Sequence, residues 1–325
     1  MDPVEALVWD EALSLTQTTG DPGPVLVLDS PALTAAARQR WSDVRAYDDL
    51  PADHTEAPLD AADVTLVLGR LPKSLGALEE YAQRIAATAD PSAHLVLGGR
   101  TRHMTRSMND TLASRFGEVR ASLGRQKSRA LIANHPTPGP VDWPRHRHHA
   151  DLDLTLHAHG ATFGGTRVDP GTRLLISALD RLTPPGPQAI DLGCGNGTLT
   201  AVLARRGLSV TAVDNSRAAT AATRATLAAN GLSATIQLAD GLTGRPPDSA
   251  DLIVTNPPFH VGTAKDTSPT LAMFRDAGRV LRPGGELWAV WNAHLPYLPA
   301  LWRAVGRTAI LTRDPRFIVT RSRVS

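Results

Sequence analysis

The segment from Thr255 to His260 reads TNPPFH and follows the β-branched apolar run DLIVT. Two consecutive prolines cannot continue a central strand, because each lacks a ladder N–H and fixes its own φ. The strand must therefore stop at Thr255, leaving Asn256, Pro257, Pro258, Phe259 and His260 on a stiff loop at its carboxyl end. In open α/β sheets ligands bind at that end. A second run, DLGCGNG from Asp191 to Gly197, has glycines at Gly193, Gly195 and Gly197. Such spacing lets backbone turn tightly and pass close to a ligand where a strand feeds a helix. A dinucleotide fingerprint, G-x-G-x-x-G, would need its third glycine where this chain has Thr198, so that match fails by one position. Two further acids stand at strand ends: Asp214, 23 positions after Asp191, and Asp240 in LADGL. Each acid alone is also explained as a helix N-cap, but three at consecutive strand ends suggest contacts to one ligand.

The elements that must hold these residues alternate between α and β from about residue 171 onward. Helix 171–182 is followed by strand QAIDLG, a helix over 198–206, strand 208–214 and an alanine-rich helix closed by Asn230-Gly231. ATIQLAD, the strand before TNPPFH, a helix over 271–281, the turn RPGG and strand ELWAVWN come next, then a helix over 297–305 and two closing strands. Strands separated by helices predict parallel pairing and a doubly wound sheet.

The front half echoes this order. PVLVLDS (24–30) takes the place of QAIDLG, and DVTLVLGRLPKS (63–74) that of DLIVTNPPFH. The spacing predicts two Rossmann-like α/β domains in tandem, read as a duplication in which the first kept the sheet and lost the glycine loop, with chance similarity between two α/β halves as the competing reading. The expected boundaries are residues 1–134 for the degenerate domain, 135–149 for a Pro- and His-rich linker with no strand or helix period, and 150–325 for the domain that carries the glycine loop.

A chain of 325 residues accommodates two such domains, and an apolar fraction of 42% with 20% charged residues is ordinary for a globular protein. No apolar run reaches the length of a membrane span, and the first residues lack a basic and apolar leader pattern. The one cysteine, Cys194, permits no internal disulfide and fits a reducing compartment, so the cytoplasm is expected. The cluster RHRHH (145–149) lacks carboxylate or thiolate partners at ligand spacing, and no metal is expected. Net charge is only +2, but residues 100–129 hold eight Lys or Arg against Asp110 and Glu118. That segment suits phosphates, although a solvated helix face would also account for it.

The spacing D-x-G-x-G-x-G resembles motif I of the class I methyltransferases, and [N/D/S]-P-P-[F/Y/W] resembles motif IV of those acting on planar nitrogen: adenine N6, cytosine N4, guanine N2 or a glutamine amide. NPPFH in particular is similar to the ribosomal RNA guanine-N2 methyltransferases. GATFGGTRVDPGTRLLISAL, RATLAANGL, PGGELWAVWNAHLPY and RFIVTRS extend the likeness through the second half. LPKSLGALEEYAQRI and SRALIA in the first half resemble the branch that modifies large-subunit RNA. The resemblance implies S-adenosyl-L-methionine (AdoMet) as cofactor, held by Asp191, Gly193, Gly195, Gly197, Asp214 and Asp240 with Asn256 adjoining. It places Asp191 near the amino-acid end, Asp214 on the ribose hydroxyls and Asp240 on the adenine amine.

The same resemblance gives the NPPF loop its chemistry. A ring-conjugated amine is a poor nucleophile because its lone pair is delocalised. The Asn256 side-chain oxygen and the Pro257 carbonyl would grip its two N–H groups, with Pro258 keeping both acceptors rigid and Phe259 stacking on the base. His260 is either a base-edge contact or a loop residue satisfied by backbone. Phe163 either covers the methionine end of the cofactor or packs in the core, and Asn292 is a candidate substrate contact. The implied partner is ribosomal RNA, a ribosomal subunit or an assembly intermediate, with Arg100, Arg102, Arg106, Arg125, Lys127 and Arg129 tracking phosphates. A same-fold enzyme acting on adenine N6, protein glutamine or a small-molecule amine, and a noncatalytic RNA-binding assembly factor, are the competing readings.

Overall fold

The structure, a computed structural model, describes residues 1–181, 183–257 and 268–325. The chain divides into two units: Met1–Pro144 with His159–Ala161, and Arg145–Ala158 with Thr162–Ser325.

The first unit runs α1 (Pro3–Thr19), β1 (Val25–Leu28), α2 (Pro31–Arg40), β2 (Val44–Tyr47), β3 (Leu66–Arg70), α3 (Leu75–Thr88), β4 (His94–Arg100), α4 (Arg106–Ala113), β5 (Phe116–Ala121) and β6 (Ser128–Pro136). Its sheet has the order β2-β1-β3-β4-β6-β5, parallel up to β4 and antiparallel beyond it. The strands are apolar on both faces because helices cover both. Leu26, Leu28, Val67, Leu95 and Leu97 belong to one buried cluster, while their neighbours Val25, Val27, Leu66, Leu68 and Val96 belong to another. That split is the period of two in a strand made visible.

The second unit runs β7 (Arg145–His149), β8 (Leu154–Ala158), α5 (Pro170–Leu179), β9 (Gln188–Leu192), α6 (Thr198–Arg205), β10 (Ser209–Asp214), α7 (Arg217–Ala229), β11 (Thr235–Leu238), β12 (Ala250–Thr255), α8 (Ser268–Val280), β13 (Leu281–Asn292), α9 (Leu298–Ala304), β14 (Arg307–Arg313) and β15 (Phe317–Arg323). The large sheet is ordered β11-β10-β9-β12-β13-β15-β14, again with its last two strands antiparallel. Ala189, Leu252, Val254, Trp288 and Val290 pack on one face, and Ile190, Ile253, Leu287, Ala289 and Trp291 on the other. The order reverses between β9 and β12, and both strands end toward the same edge, with Thr255 paired to Leu192 and the Thr255 hydroxyl donating to the Leu192 carbonyl at 2.7 Å. Ligands of open α/β sheets bind at such a switch point.

Set side by side, the two strand orders coincide, with β1 in the place of β9, β2 of β10, β3 of β12 and β4 of β13. The first sheet has six strands and the second seven, and β11 has no counterpart among the described residues of the first unit. The sheet expected for the first copy is present, with one edge strand fewer among the described residues. The glycine loop is replaced by Asp29, which follows β1 with φ +51° and is closed off by its own contacts. Its carboxylate accepts from the Asp49 amide at 2.9 Å and the Tyr81 hydroxyl at 2.8 Å, and burial pushes its pKa up to about 6.

The expected linker is also corrected at both ends. Asn134, His135 and Pro136 continue β6, and RHRHH, read as lacking a strand period, forms β7 paired antiparallel to β8. Backbone pairing, rather than hydrophobic alternation, makes this strand, since four of its five residues are exposed. His146 stacks on His157 across the hairpin at 5.3 Å, and His149 Nε2 lies 2.8 Å from the Thr166 carbonyl. Within the first unit, residues 159–161 are held by Glu80, whose carboxylate accepts from the Gly160 amide at 2.7 Å and meets His159 Nδ1 at 2.8 Å.

Candidate active site of the second unit

The loop between β9 and α6 is built by backbone that only glycine takes up readily. Gly193, Gly195 and Gly197 have φ of +80°, +55° and +77°. At Gly197, the N-cap of α6, a Cβ would also come within 3.0 Å of the Thr223 Cα. The loop is tied down on three sides. Asp214 Oδ2 accepts from the Gly195 amide at 3.0 Å while its Oδ1 accepts from the Ser216 amide at 3.0 Å. Thr226 donates to the Asn196 carbonyl at 2.8 Å. The Asn196 amide donates to the carbonyls of Gly165 and Arg167 at 2.9 and 3.0 Å, holding segment 163–167 against the loop.

An open cavity lies between these pieces, lined by Phe163, Arg167, Asp169, Thr172, Gly193, Cys194, Gly195, Asn196, Thr198, Leu199 and Asn256. The structure thus brings together three of the expected residues, Asn256, Gly193 and Gly195, across one cavity. Gly197 stands behind it as the cap and packing position. Phe163 is on the cavity wall and 70% exposed, which removes the core-packing reading. Arg167, Asp169, Thr172 and Asn196 were missed by sequence reasoning. The Asp-Pro-Gly start of α5 is legible as a capped helix end, but nothing in its spacing says that the cap faces a ligand.

The three acids expected on the cofactor, Asp191, Asp214 and Asp240, do not line the cavity. Asp191 is fully buried in β9, with one oxygen accepting from the Thr200 hydroxyl at 2.6 Å and Oδ1 without a partner among the described residues. Burial pushes its pKa up to about 7. Asp214 is the last residue of β10, and Asp240 is exposed two positions beyond β11. Asn292 ends β13 away from the lining. Cys194 is buried, which pushes its thiol well above the ordinary range and makes it a poor nucleophile.

Asn256 Nδ2 donates to Asp169 Oδ1 at 2.9 Å and Thr172 Oγ1 at 3.0 Å, and Asn256 Oδ1 is buried without a partner among the described residues. An orphaned buried acceptor beside a cavity is costly unless a ligand meets it. Together with the glycine turn, it fits an adenosyl cofactor and an amine donor meeting in one place. Pro258, Phe259 and His260 lie outside the described residues.

Among the basic residues, Arg100 ends β4 opposite Ser128, the first residue of β6. Arg102 and Arg106 follow on the next turn and helix, and Arg125 and Lys127 are in the connection between β5 and β6. Arg102, Arg106, Arg125, Lys127 and Arg129 are exposed, but Arg125 is already ion-paired with Asp10. Among the described residues no group of three or more His, Cys, Asp or Glu is placed to hold a metal ion, and no helix is long and apolar enough to cross a membrane.

Comparison with known proteins places this geometry. The profile of the methyltransferase small domain matches residues 153–321, and that of the RLMG N-terminal domain matches residues 12–138. The chain is 36% identical to the ribosomal RNA large subunit methyltransferase G of Streptomyces avermitilis over 82% of this chain and 72% of that protein. To the protein of the same name in Stutzerimonas stutzeri it is 34% identical, over 85% and 76%. Among solved structures it resembles the T. thermophilus 16S rRNA N2 G1207 methyltransferase in complex with AdoMet and guanosine, with a TM-score of 0.80 and 26% identity over 100% of this chain and 92% of that one. Two tandem α/β units, one with an intact glycine loop and one without, and these matches along nearly the whole length make the chain a member of the methyltransferase small domain family, in the branch of the ribosomal RNA large subunit methyltransferases G.

Proposed function

We propose that this protein transfers a methyl group from AdoMet to the exocyclic N2 amine of a guanine in ribosomal RNA, with large-subunit RNA as the favoured substrate. The observation that carries this reading is the buried Asn256 Oδ1, without a partner among the described residues, on a cavity shared with Gly193 and Gly195. The names of the relatives supply the substrate class, and the T. thermophilus enzyme, solved with AdoMet and guanosine bound, agrees with it.

When bound, AdoMet supplies an electrophilic methyl group. The chain's part is to hold and align. Gly193, Gly195 and Gly197 allow the close backbone turn, Asp214 and Asp240 are assigned to the ribose and adenine, and Asp191 supports the loop from behind through α6. Asn256 Oδ1 and the Pro257 carbonyl accept the two amine N–H groups and direct the lone pair, an alignment prepared before the substrate arrives. No strong base is required, since the nitrogen becomes acidic only after methyl transfer. Pro258 as brace, Phe259 as stacking face and His260 as a base-edge contact complete the assignment. The base must be unpaired or flipped, because an amine inside a duplex cannot reach a pocket at a strand end. Arg100, Arg102, Arg106, Lys127 and Arg129 would track phosphates in naked RNA, a subunit or an assembly intermediate, with Arg125 contributing once released from Asp10. A cytoplasmic location follows from that partner.

Mass spectrometry of nucleosides from a strain lacking the gene tests the proposal. Loss of N2-methylguanosine from ribosomal RNA, restored by the wild-type gene and not by Asn256→Ala, is the expected result. Unchanged RNA with an altered protein glutamine or small amine would move the chemistry to another planar nitrogen, and restoration by Asn256→Ala would leave a noncatalytic assembly factor.

A further inference from the structure

The two ends of an asparagine amide are nearly identical in shape and opposite in chemistry. With its oxygen toward the substrate, Asn256 accepts an amine N–H; with its nitrogen there, it would present a donor to a donor. Something must decide between the two. Asn256 Nδ2 stands 2.9 Å from Asp169 Oδ1 and 3.0 Å from Thr172 Oγ1, which commits both amide hydrogens. A carboxylate accepts and does not donate, so the opposite rotamer would set Asn256 Oδ1 against a carboxylate oxygen. Asp169 is itself fixed as the N-cap of α5, where the same Oδ1 accepts from the Gly171 and Thr172 amides at 2.9 and 3.2 Å. Pro170 follows at the first helical position. The order of control runs from a helix end to a carboxylate, from the carboxylate to an amide, and from the amide to an oxygen left for the substrate.

We infer that Asp169 is a positioning residue for methyl transfer: assisted by Thr172, it holds the Asn256 amide in the orientation that turns Oδ1 into the acceptor for the reacting amine. The inference rests on the proposed role of Asn256 as that acceptor. Asp169 does not touch the reacting atoms in this scheme.

The test compares Asp169→Ser, Asp169→Asn and wild type in the full-length protein. Serine retains a good N-cap but its hydroxyl is too short to serve the cap and Asn256 together, whereas asparagine retains an oxygen in the carboxylate's place. Turnover and KM on ribosomal RNA, AdoMet affinity by calorimetry, thermal midpoint, and the Asn256 side-chain amide resonances in ¹⁵N-labelled protein are measured. Asp169→Ser is expected to lower kcat about tenfold or more while KM and AdoMet affinity stay within about threefold, with a shift of the Asn256 amide resonances. Asp169→Asn is expected to recover most of that loss. A kcat within about twofold of wild type for Asp169→Ser, or losses in affinity and midpoint matching the loss in kcat, would reduce Asp169 to a structural cap. The resonances need no substrate. If ribosomal RNA proves not to be the substrate, a shift in Asp169→Ser still upholds the amide orientation, and an unchanged spectrum overturns it.

Discussion

Asp214 Oδ2 accepts a hydrogen bond from the Gly195 amide at 3.0 Å, so the acid at the end of β10 holds the loop at the end of β9. The contact joins two residues that the sequence separates by a helix. One carboxylate thereby shapes the cavity wall, and its proposed role adds the cofactor ribose to its contacts. Asp214→Ala is expected to weaken AdoMet binding about ten- to a hundredfold, the range for losing hydrogen bonds to a charged group. Calorimetric titration checks it, and unaltered affinity would remove Asp214 from the cofactor site.

Asn256→Ala has the opposite signature. The amide is assigned to the reacting amine, so AdoMet affinity is expected to stay within about threefold while kcat falls at least about a hundredfold. Equal losses in both quantities would move Asn256 from the chemistry to the cofactor.

Gly197 has φ +77° and no room for a methyl group beside Thr223. Gly197→Ala is expected to destabilise the second unit by about 1–3 kcal/mol, the cost of holding a side chain in a sparsely populated backbone region. Gly207, also at positive φ (+80°) but with nothing within 4 Å of its Cβ position, serves as the control and should lose less on the same substitution. Denaturant titration followed by tryptophan fluorescence reads both.

Asp191 has its pKa raised by burial from 3.8 to about 7. The folded chain therefore binds a proton that the unfolded chain gives up, and the associated stability is full below the unfolded value and is lost as pH rises through about 7. Asp29, raised to about 6, acts with the same sign over a lower window. Denaturation midpoints are expected to fall between about pH 4 and 7, and Asp191→Asn to flatten the part of that slope above about pH 6; an equal slope in the variant would place the titration elsewhere.

Phosphate tracking by the first unit carries a salt signature. Lys127→Ala and Arg102→Ala are each expected to weaken RNA binding evenly across sequences and to lower the slope of log affinity against log salt by about one. Arg125→Ala should do less, because that side chain is already ion-paired with Asp10. Filter-binding titrations over a range of salt concentrations read all three, and a flat response in wild type would exclude the segment from the interface.

The fold was legible where one periodicity ruled. Apolar runs such as VLVL and DLIVT announce buried strands, and the parity of their side chains sorts them onto two faces as observed. RHRHH was illegible as a strand because its pairing with β8 is a backbone matter that leaves Arg145, His146, Arg147 and His148 in solvent. At the site, Gly193, Gly195 and Asn256 were readable because their spacing constrains backbone near a ligand. Asn196, Asp169 and Thr172 were not, since each works through contacts with residues far away in the chain: Asn196 to Arg167, and Asp169 and Thr172 to Asn256. Asp191 reads as a ligand contact by register, and three-dimensional packing sets it one layer back.

The Tyr81 hydroxyl on Asp29 has a numerical consequence. With Asp29 closed by that bond and no glycine loop after β1, the chain is expected to saturate with a single molar equivalent of AdoMet, a count that calorimetry reads directly; two equivalents would return a site to the first unit.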